Sequence, residues 1–214
     1  MLSVDERCQP PVGGAESVVP APRGSADAGQ VLDAAMDTFL DFGIKRATMT
    51  EIARRAGVGV ATVYRRFPQK GGLVQATVTR EVQRFIADVD SKIAHASTPV
   101  EEVVECFVAF VVGAREHPLL RRILDTEPEI VLPALTIAGG PVIALGREYV
   151  AQKIRRLRGS PIANADDVDM VAEMFARLAQ SMVLTPDGRI PSGDDEKTRE
   201  FARRHIAPLV VSAK

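Results

Sequence analysis

The chain has no tryptophan, two tyrosines, two cysteines and three histidines among its 214 residues. Each scarcity excludes something. Cys8 and Cys106 lie too far apart for metal-ligand spacing or a disulfide framework, as expected in a reducing compartment. His95, His117 and His205 are scattered, with no partner at zinc-like spacing. Gly139-Gly140-Pro141 lacks the Lys-Ser/Thr of a phosphate-binding loop. An enzyme, a bound metal or an organic cofactor is therefore not expected. No apolar run approaches the roughly 18–20 residues of a membrane span. The N-terminus lacks the basic and then apolar stretches of a secretion signal. The expectation is a cytoplasmic protein with no membrane partner. Internal repeats are missing, and so is the alternating apolar–polar pattern of strands, which leaves an all-α reading.

What is present is an ordinary globular mixture, 46% apolar and 26% charged, able to bury a core. The net charge of −1 hides a segregation along the chain. Residues 27–42 carry four aspartates and no basic residue, whereas residues 43–80 carry eight basic residues against Glu51 alone, a net of +7. Residues 81–214 return to −3. A local excess of that size points to a polyanion partner for one segment.

Residues 1–26, with four prolines and three glycines, read as a flexible arm. Val31, Ala34, Ala35, Thr38, Phe39 and Phe42 then recur at helical spacing from a cap at Asp27 to a stop at Gly43. In Thr48-Met49-Thr50-Glu51 the Thr and Glu have capping-box spacing, and a short helix follows to Gly57. Only Gly57-Val58-Gly59 separates it from a third helix over 60–67, which Pro68 ends. Two short helices joined by so tight a turn are a helix-turn-helix, whose second helix enters the major groove of DNA. The division expected is a DNA-binding domain over 27–72 and a larger helical domain over 73–214, about nine helices in all.

Residue chemistry then sorts the candidate contacts. Val60 and Ala61 are short enough for close approach and can touch a thymine methyl, and Arg65 suits bidentate contact to guanine. Thr62, Tyr64, Arg66 and Lys70 are candidate phosphate contacts, as are Thr48 and Thr50 at the start of the preceding helix. Val63 and Phe67 face inward. The run TMTEIARRAGVGVATVYRRFPQKGGLV, with AMDTFLDFGIKRA before it, resembles the DNA-binding domain of tetracycline-repressor (TetR) family regulators over about 50 residues. That resemblance implies phosphate contacts at Thr62, Tyr64 and Lys70 and base reading at Val60, Ala61 and Arg65. Arg66 stands where histidine is frequent. Gly71 and Gly72 replace acidic and helix-favouring residues, so a late start of the next helix is expected.

The resemblance further implies a C-terminal domain that binds a small effector and dimerises through its last two helices. Ala165, Ala172, Ala176 and Ala179 form a stripe of small residues on the expected helix over 166–184. The stripe suits either an isologous dimer or packing within the subunit. Phe201, Ile206 and Leu209 on the last helix are candidates to complete a four-helix seam. Effector-lining candidates are Phe85 and Val89, Phe107, Phe110 and Val111, and Leu124. Further along the chain they are Leu135, Ile143, Tyr149, Met174, Phe175 and Leu178. The set favours a flexible apolar ligand such as a fatty acid or acyl thioester, and the stretch over 126–150 resembles the pocket region of actinobacterial lipid-metabolism regulators. Cys106, beside Phe107 on an apolar face, reads as core rather than redox sensor. The function expected is a repressor released from a palindromic operator by a small apolar effector. Alternatives are a ligand-responsive activator, a co-repressed regulator, and a ligand-sequestering module without specific DNA binding.

Overall fold

The structure is a computed structural model that describes residues 24–158 and 165–211. The N-terminal arm up to residue 23, and the side chain of Asp27 with its expected cap, lie outside the described residues. All described elements are helical: α1 (Gly24–Arg46), α2 (Met49–Arg55), α3 (Val60–Arg66), α4 (Lys70–Ile93), α5 (Pro99–Glu116) and α6 (Pro118–Thr126). They continue as α7 (Pro128–Leu135), α8 (Gly140–Arg158), α9 (Ala165–Leu184) and α10 (Asp195–Phe201). A π-helical turn, Ala202–Ile206, joins α10 without a break to α11 (Ala207–Val211). Helix α7 was not expected, because Pro128 and Pro133 read as breakers. Pro128 instead occupies the first turn, where the missing N–H costs nothing.

Two cores organise these helices. The N-terminal one is built from Val31, Ala35 and Phe39 of α1, Ile52 and Ala53 of α2, Val63 of α3 and Leu73 of α4. Leu119 and Ile123 of α6 belong to it as well, with Ile130 and Val131 of α7 packed against its edge. The C-terminal core gathers Val89 and Ile93 of α4, most of α5, and the inward faces of α8, α9 and the C-terminal rod. Thr98 caps α5 by accepting from the Glu101 amide at 3.1 Å, and Glu101 reaches back to the Ser97 amide at 2.9 Å.

One local expectation is corrected. Helix α4 begins at Lys70 and runs through Gly71 and Gly72 without delay, because Gln69 supplies an extended cap residue. Gly43 is the left-handed stop expected: with φ 80 and ψ 165 it ends the regular helix, and a separate turn continues across the kink to Arg46. Of the residues expected at the dimer seam on the last rod, Ile206 is buried in its own subunit and Phe201 packs on Phe107, while Leu209 is exposed. Part of the alanine stripe on α9 is likewise used within the subunit. A Cβ on Gly146 of α8 would meet that of Ala176 at 3.1 Å, so glycine permits the close approach of the two helices.

Cys106 is 5% exposed, and burial pushes its thiol up to about 12, so almost none is thiolate at neutral pH. Alkylation with iodoacetamide, mapped by peptide mass spectrometry, should leave Cys106 unmodified in the native protein and modify it fully in denaturant. Fast native labelling at Cys106 would contradict this packing.

Candidate nucleic-acid interface

Helix α2 starts where Thr48, in extended conformation, accepts from the Glu51 amide at 3.1 Å. The return half of the box is absent, because Glu51 turns outward and accepts from both Arg54 and Arg55. Those hydrogen bonds, Arg54 first and Arg55 second, hold the Glu51 carboxyl down at about 2. Helix α2 ends in a Schellman arrangement: Gly57 has φ 65, its amide donates to Arg54, and the Val58 amide reaches back to Ala53 at 3.1 Å. Gly59 then caps α3 by its backbone alone.

On α3, Val63 is fully buried and Phe67 half-buried against the N-terminal core, which fixes the helix's rotation. The opposite side shows Val60, Ala61, Tyr64, Arg65 and Arg66 exposed, with Tyr64 at 48% and Thr62 half-buried. Thr50 is exposed at the start of α2. Thr48 is also exposed, but its oxygen already accepts a cap bond, so only its hydroxyl hydrogen remains to donate outward. Lys70, at the first turn of α4, donates from Nζ to the Lys45 carbonyl at 2.9 Å. This bond ties the end of α1 to the flank of α3.

Folding divides seven of the eight basic residues of the 43–80 segment, all but Arg66, into two groups. Lys45 pairs with Glu129, Arg55 with Asp41 and Glu51, Arg54 with Glu51, and Arg80 with Asp33. Arg55 also lies over the Phe42 ring at 5.1 Å. Among the described residues Arg46, Arg65 and Lys70 have no carboxylate partner, and they flank or lie on α3. The sequence excess of charge is thus concentrated by pairing onto one small face. The pairings of Arg55 with Asp41 and of Lys45 with Glu129 were not visible in the sequence, because those acids come from α1 and α7, whereas Glu51 lies within α2, one turn from both arginines.

The effector candidates separate in the same way. Phe85, Phe110, Tyr149, Phe175 and Phe107 form a continuous run of edge-to-face rings, with centroids 5.1–6.2 Å apart. Val89, Val111 and Leu178 pack in the same core. Leu124, Leu135 and Ile143 lie outside it, and Met174 is 54% exposed, turned away from the interior. Tyr149 closes one end by donating to Asp90 at 2.6 Å, and Lys153 donates to the same carboxylate oxygen at 2.6 Å. Burial first, and the bond to Asp90 second, raise the Tyr149 hydroxyl well above its ordinary range. Open clefts of about 490 and 430 Å³ lie elsewhere, beside Arg80 on α4 and beside His95 near its end.

An exposed short helix after a glycine turn, held from behind by Val63 and Phe67 and presenting Tyr64 and Arg65 outward, defines a helix-turn-helix DNA-binding protein. Residues 31–77 match the family described as bacterial regulatory proteins, tetR family, and residues 98–204 match the bacterial tetracyclin repressor C-terminal domain. The chain belongs to the TetR family of transcriptional regulators, which are DNA-binding factors and not enzymes. Over 177 residues it is 25% identical to the HTH-type transcriptional regulator AlkX of Mycobacterium tuberculosis, covering 81% of this chain and 80% of that one. It is 33% identical to the HTH-type transcriptional repressor KstR of the same organism over 159 residues, covering 74% of this chain and 60% of that one. The crystal structure of the TetR family repressor AlkX from Dietzia sp. strain DQ12-45-1b shares the fold, with a TM-score of 0.61, 24% identity and coverage of 86% and 95%.

Thr48→Ala removes a cap oxygen from a seven-residue helix and should lower the unfolding free energy by about 1 kcal/mol, read by urea denaturation. Thr48→Ser keeps the oxygen and should stay near wild type.

Proposed function

We propose that the protein is a repressor that grips a palindromic operator as a homodimer and is released by a small apolar effector. The observation that carries the reading is the emergence of Tyr64, Arg65 and Lys70, without carboxylate partners, on one face around α3. Arg65, Val60 and Ala61 are the proposed base-reading residues. Thr48, Thr50, Thr62, Tyr64, Arg66 and Lys70 are the proposed phosphate contacts. Residues 27–72 supply the DNA-binding part and 73–214 the effector and dimer part, and the site of action is the cytoplasm.

The proposed dimer keeps α9 and pairs it with α8. Val142 and Leu145 of α8 and Met170 and Met174 of α9 leave apolar surface outside, whereas Ile206 and Val210 of the last rod are buried and Leu209 and Val211 are exposed. Two copies would then present recognition helices about 34–36 Å apart, one turn of DNA. The name of KstR as a repressor supports the sign of regulation. The apolar ring run supports a flexible apolar effector such as a fatty acid or acyl thioester, although Met174, Leu124, Leu135 and Ile143 no longer count among its inner lining. Opening one ring contact costs about 0.5–1.5 kcal/mol. Burying about 100 Å² of an alkyl chain returns about 2.5 kcal/mol. An apolar chain can therefore enter a core that is closed without it.

The test is fluorescence anisotropy on genomic DNA fragments, beginning with the region upstream of the protein's own gene and titrated with salt. Wild type should bind specifically with log K falling steeply against log[salt], and Lys70→Ala should weaken binding and reduce that slope by about 1. Tyr64→Ala should also bind more weakly. Failure of every fragment to compete better than scrambled DNA would remove the repressor reading.

A further inference from the structure

The corner between α6 and α7 carries Glu127, a glutamate that is only 7% exposed. It lies beneath the kink of α1. Its carboxylate accepts from the Ile44 amide at 2.6 Å and from the Lys45 amide at 3.0 Å. Those two N–H groups open the extra turn after Gly43, whose own carbonyl accepts from the Ala47 amide at 3.2 Å. Gly43 thus stands at the cap position of that turn and has no side chain with which to satisfy it. Glu127 supplies the missing cap from 83 residues away. A Cβ on Gly43 would lie 2.9 Å from Cδ, Oε1 and Oε2 of Glu127, so glycine is required by the approach of the carboxylate as well as by its φ of 80.

The capped turn leads to the proposed DNA face. Lys45 presents its carbonyl to Lys70, and Thr48, three residues on, starts α2. Glu129 pairs with the Lys45 side chain, and Arg122 of α6 donates to the Asp41 carbonyl at 3.3 Å. Both contacts come from the same corner, but both are exposed and each is worth little alone. The buried, charge-assisted bonds of Glu127 are the strong ones.

We infer that Glu127 is a positioning residue for operator binding: it touches no DNA, and by capping the Ile44–Arg46 turn it fixes the angle at which α2 and α3 are held against the C-terminal half. The inference rests on the repressor reading above for its DNA readout, and on nothing beyond the geometry for the cap itself. Its chemistry also selects the variant. Glutamine has one acceptor oxygen and would set an NH₂ donor against a backbone donor, so Glu127→Gln keeps size and loses at least one of the two bonds.

The experiment uses the full chain and two readouts. Amide hydrogen exchange, followed by NMR in the absence of DNA, should show exchange at Ile44 and Lys45 faster by about tenfold or more in Glu127→Gln. Ala35 and Phe39 in α1 should keep their rates, which separates loss of the cap from global unfolding. Operator affinity should fall about tenfold while the slope of log K against log[salt] stays at the wild-type value, because no phosphate contact is lost. Glu129→Gln, which removes only the exposed pair, should leave both readouts unchanged. Should Glu127→Gln fail to fold, Gly43→Ala attacks the same contact from the other side and should give the same pattern. Unchanged exchange at Ile44 and Lys45 overturns the cap. Lost protection with operator affinity within twofold of wild type overturns the positioning role, and so does a slope reduced by about 1, because a Lys or Arg contact to phosphate has then been lost. If wild type itself binds no fragment, the repressor reading falls, and the exchange arm still decides the cap.

Discussion

Two backbone N–H groups at the end of α1, those of Ile44 and Lys45, have no acceptor within their own turn, and one buried carboxylate satisfies both. Much else is arranged around that contact. Gly43 must lack a side chain for the carboxylate to arrive, and α6 and α7 must meet at a sharp corner to deliver it. The Lys45 carbonyl, held in place by its capped turn, is then available to Lys70. Leaving a buried acceptor or donor unsatisfied costs about 1–3 kcal/mol, and more for a charged group. A corner built in this way has few alternative arrangements.

The N-terminal half was largely legible in the sequence because its signals are local. Thr48 three residues before Glu51, two glycines in a three-residue turn, and Pro68 after Phe67 each act on neighbouring backbone. Hence the limits of α2 and α3 fell within a residue or two of expectation. One expectation failed there: Glu51 was expected to bond back to Thr48, but Arg54 and Arg55 on the next turn compete for the same oxygens and win. Gly43 is the stop it was read as, but the turn that resumes after it was not legible, because the carboxylate that caps it lies beyond position 120.

The C-terminal half was less legible, since a 3.6-residue apolar period marks an inward face without saying what lies inward. Phe201 and Ile206 have the pattern of a dimer seam, yet Phe107 receives one and the subunit's own core the other. Met174 lies one position from the deeply buried Phe175, about 100° around the helix, and is left exposed. Phe85, Phe110, Tyr149 and Phe175, spread over 91 positions of chain, end in contact because α4, α5, α8 and α9 all turn one face to the same axis. A chain with few aromatics has concentrated most of them at one place.

The membership of Leu119 and Ile123 in the N-terminal core bears on how the protein is made. During synthesis α1 to α4 leave the ribosome first, with the apolar sides of Phe39, Ile52 and Leu73 formed but uncovered on the flank that α6 later occupies. That flank closes only after the whole of α5 and the first turns of α6 have emerged. Until then the nascent recognition helix is attached to an unfinished support, and the basic face around Arg65 and Lys70 is exposed on a chain that does not yet hold its shape. Completion of the core behind the recognition helix therefore follows translation of α6, even though every residue proposed to touch DNA belongs to the first half.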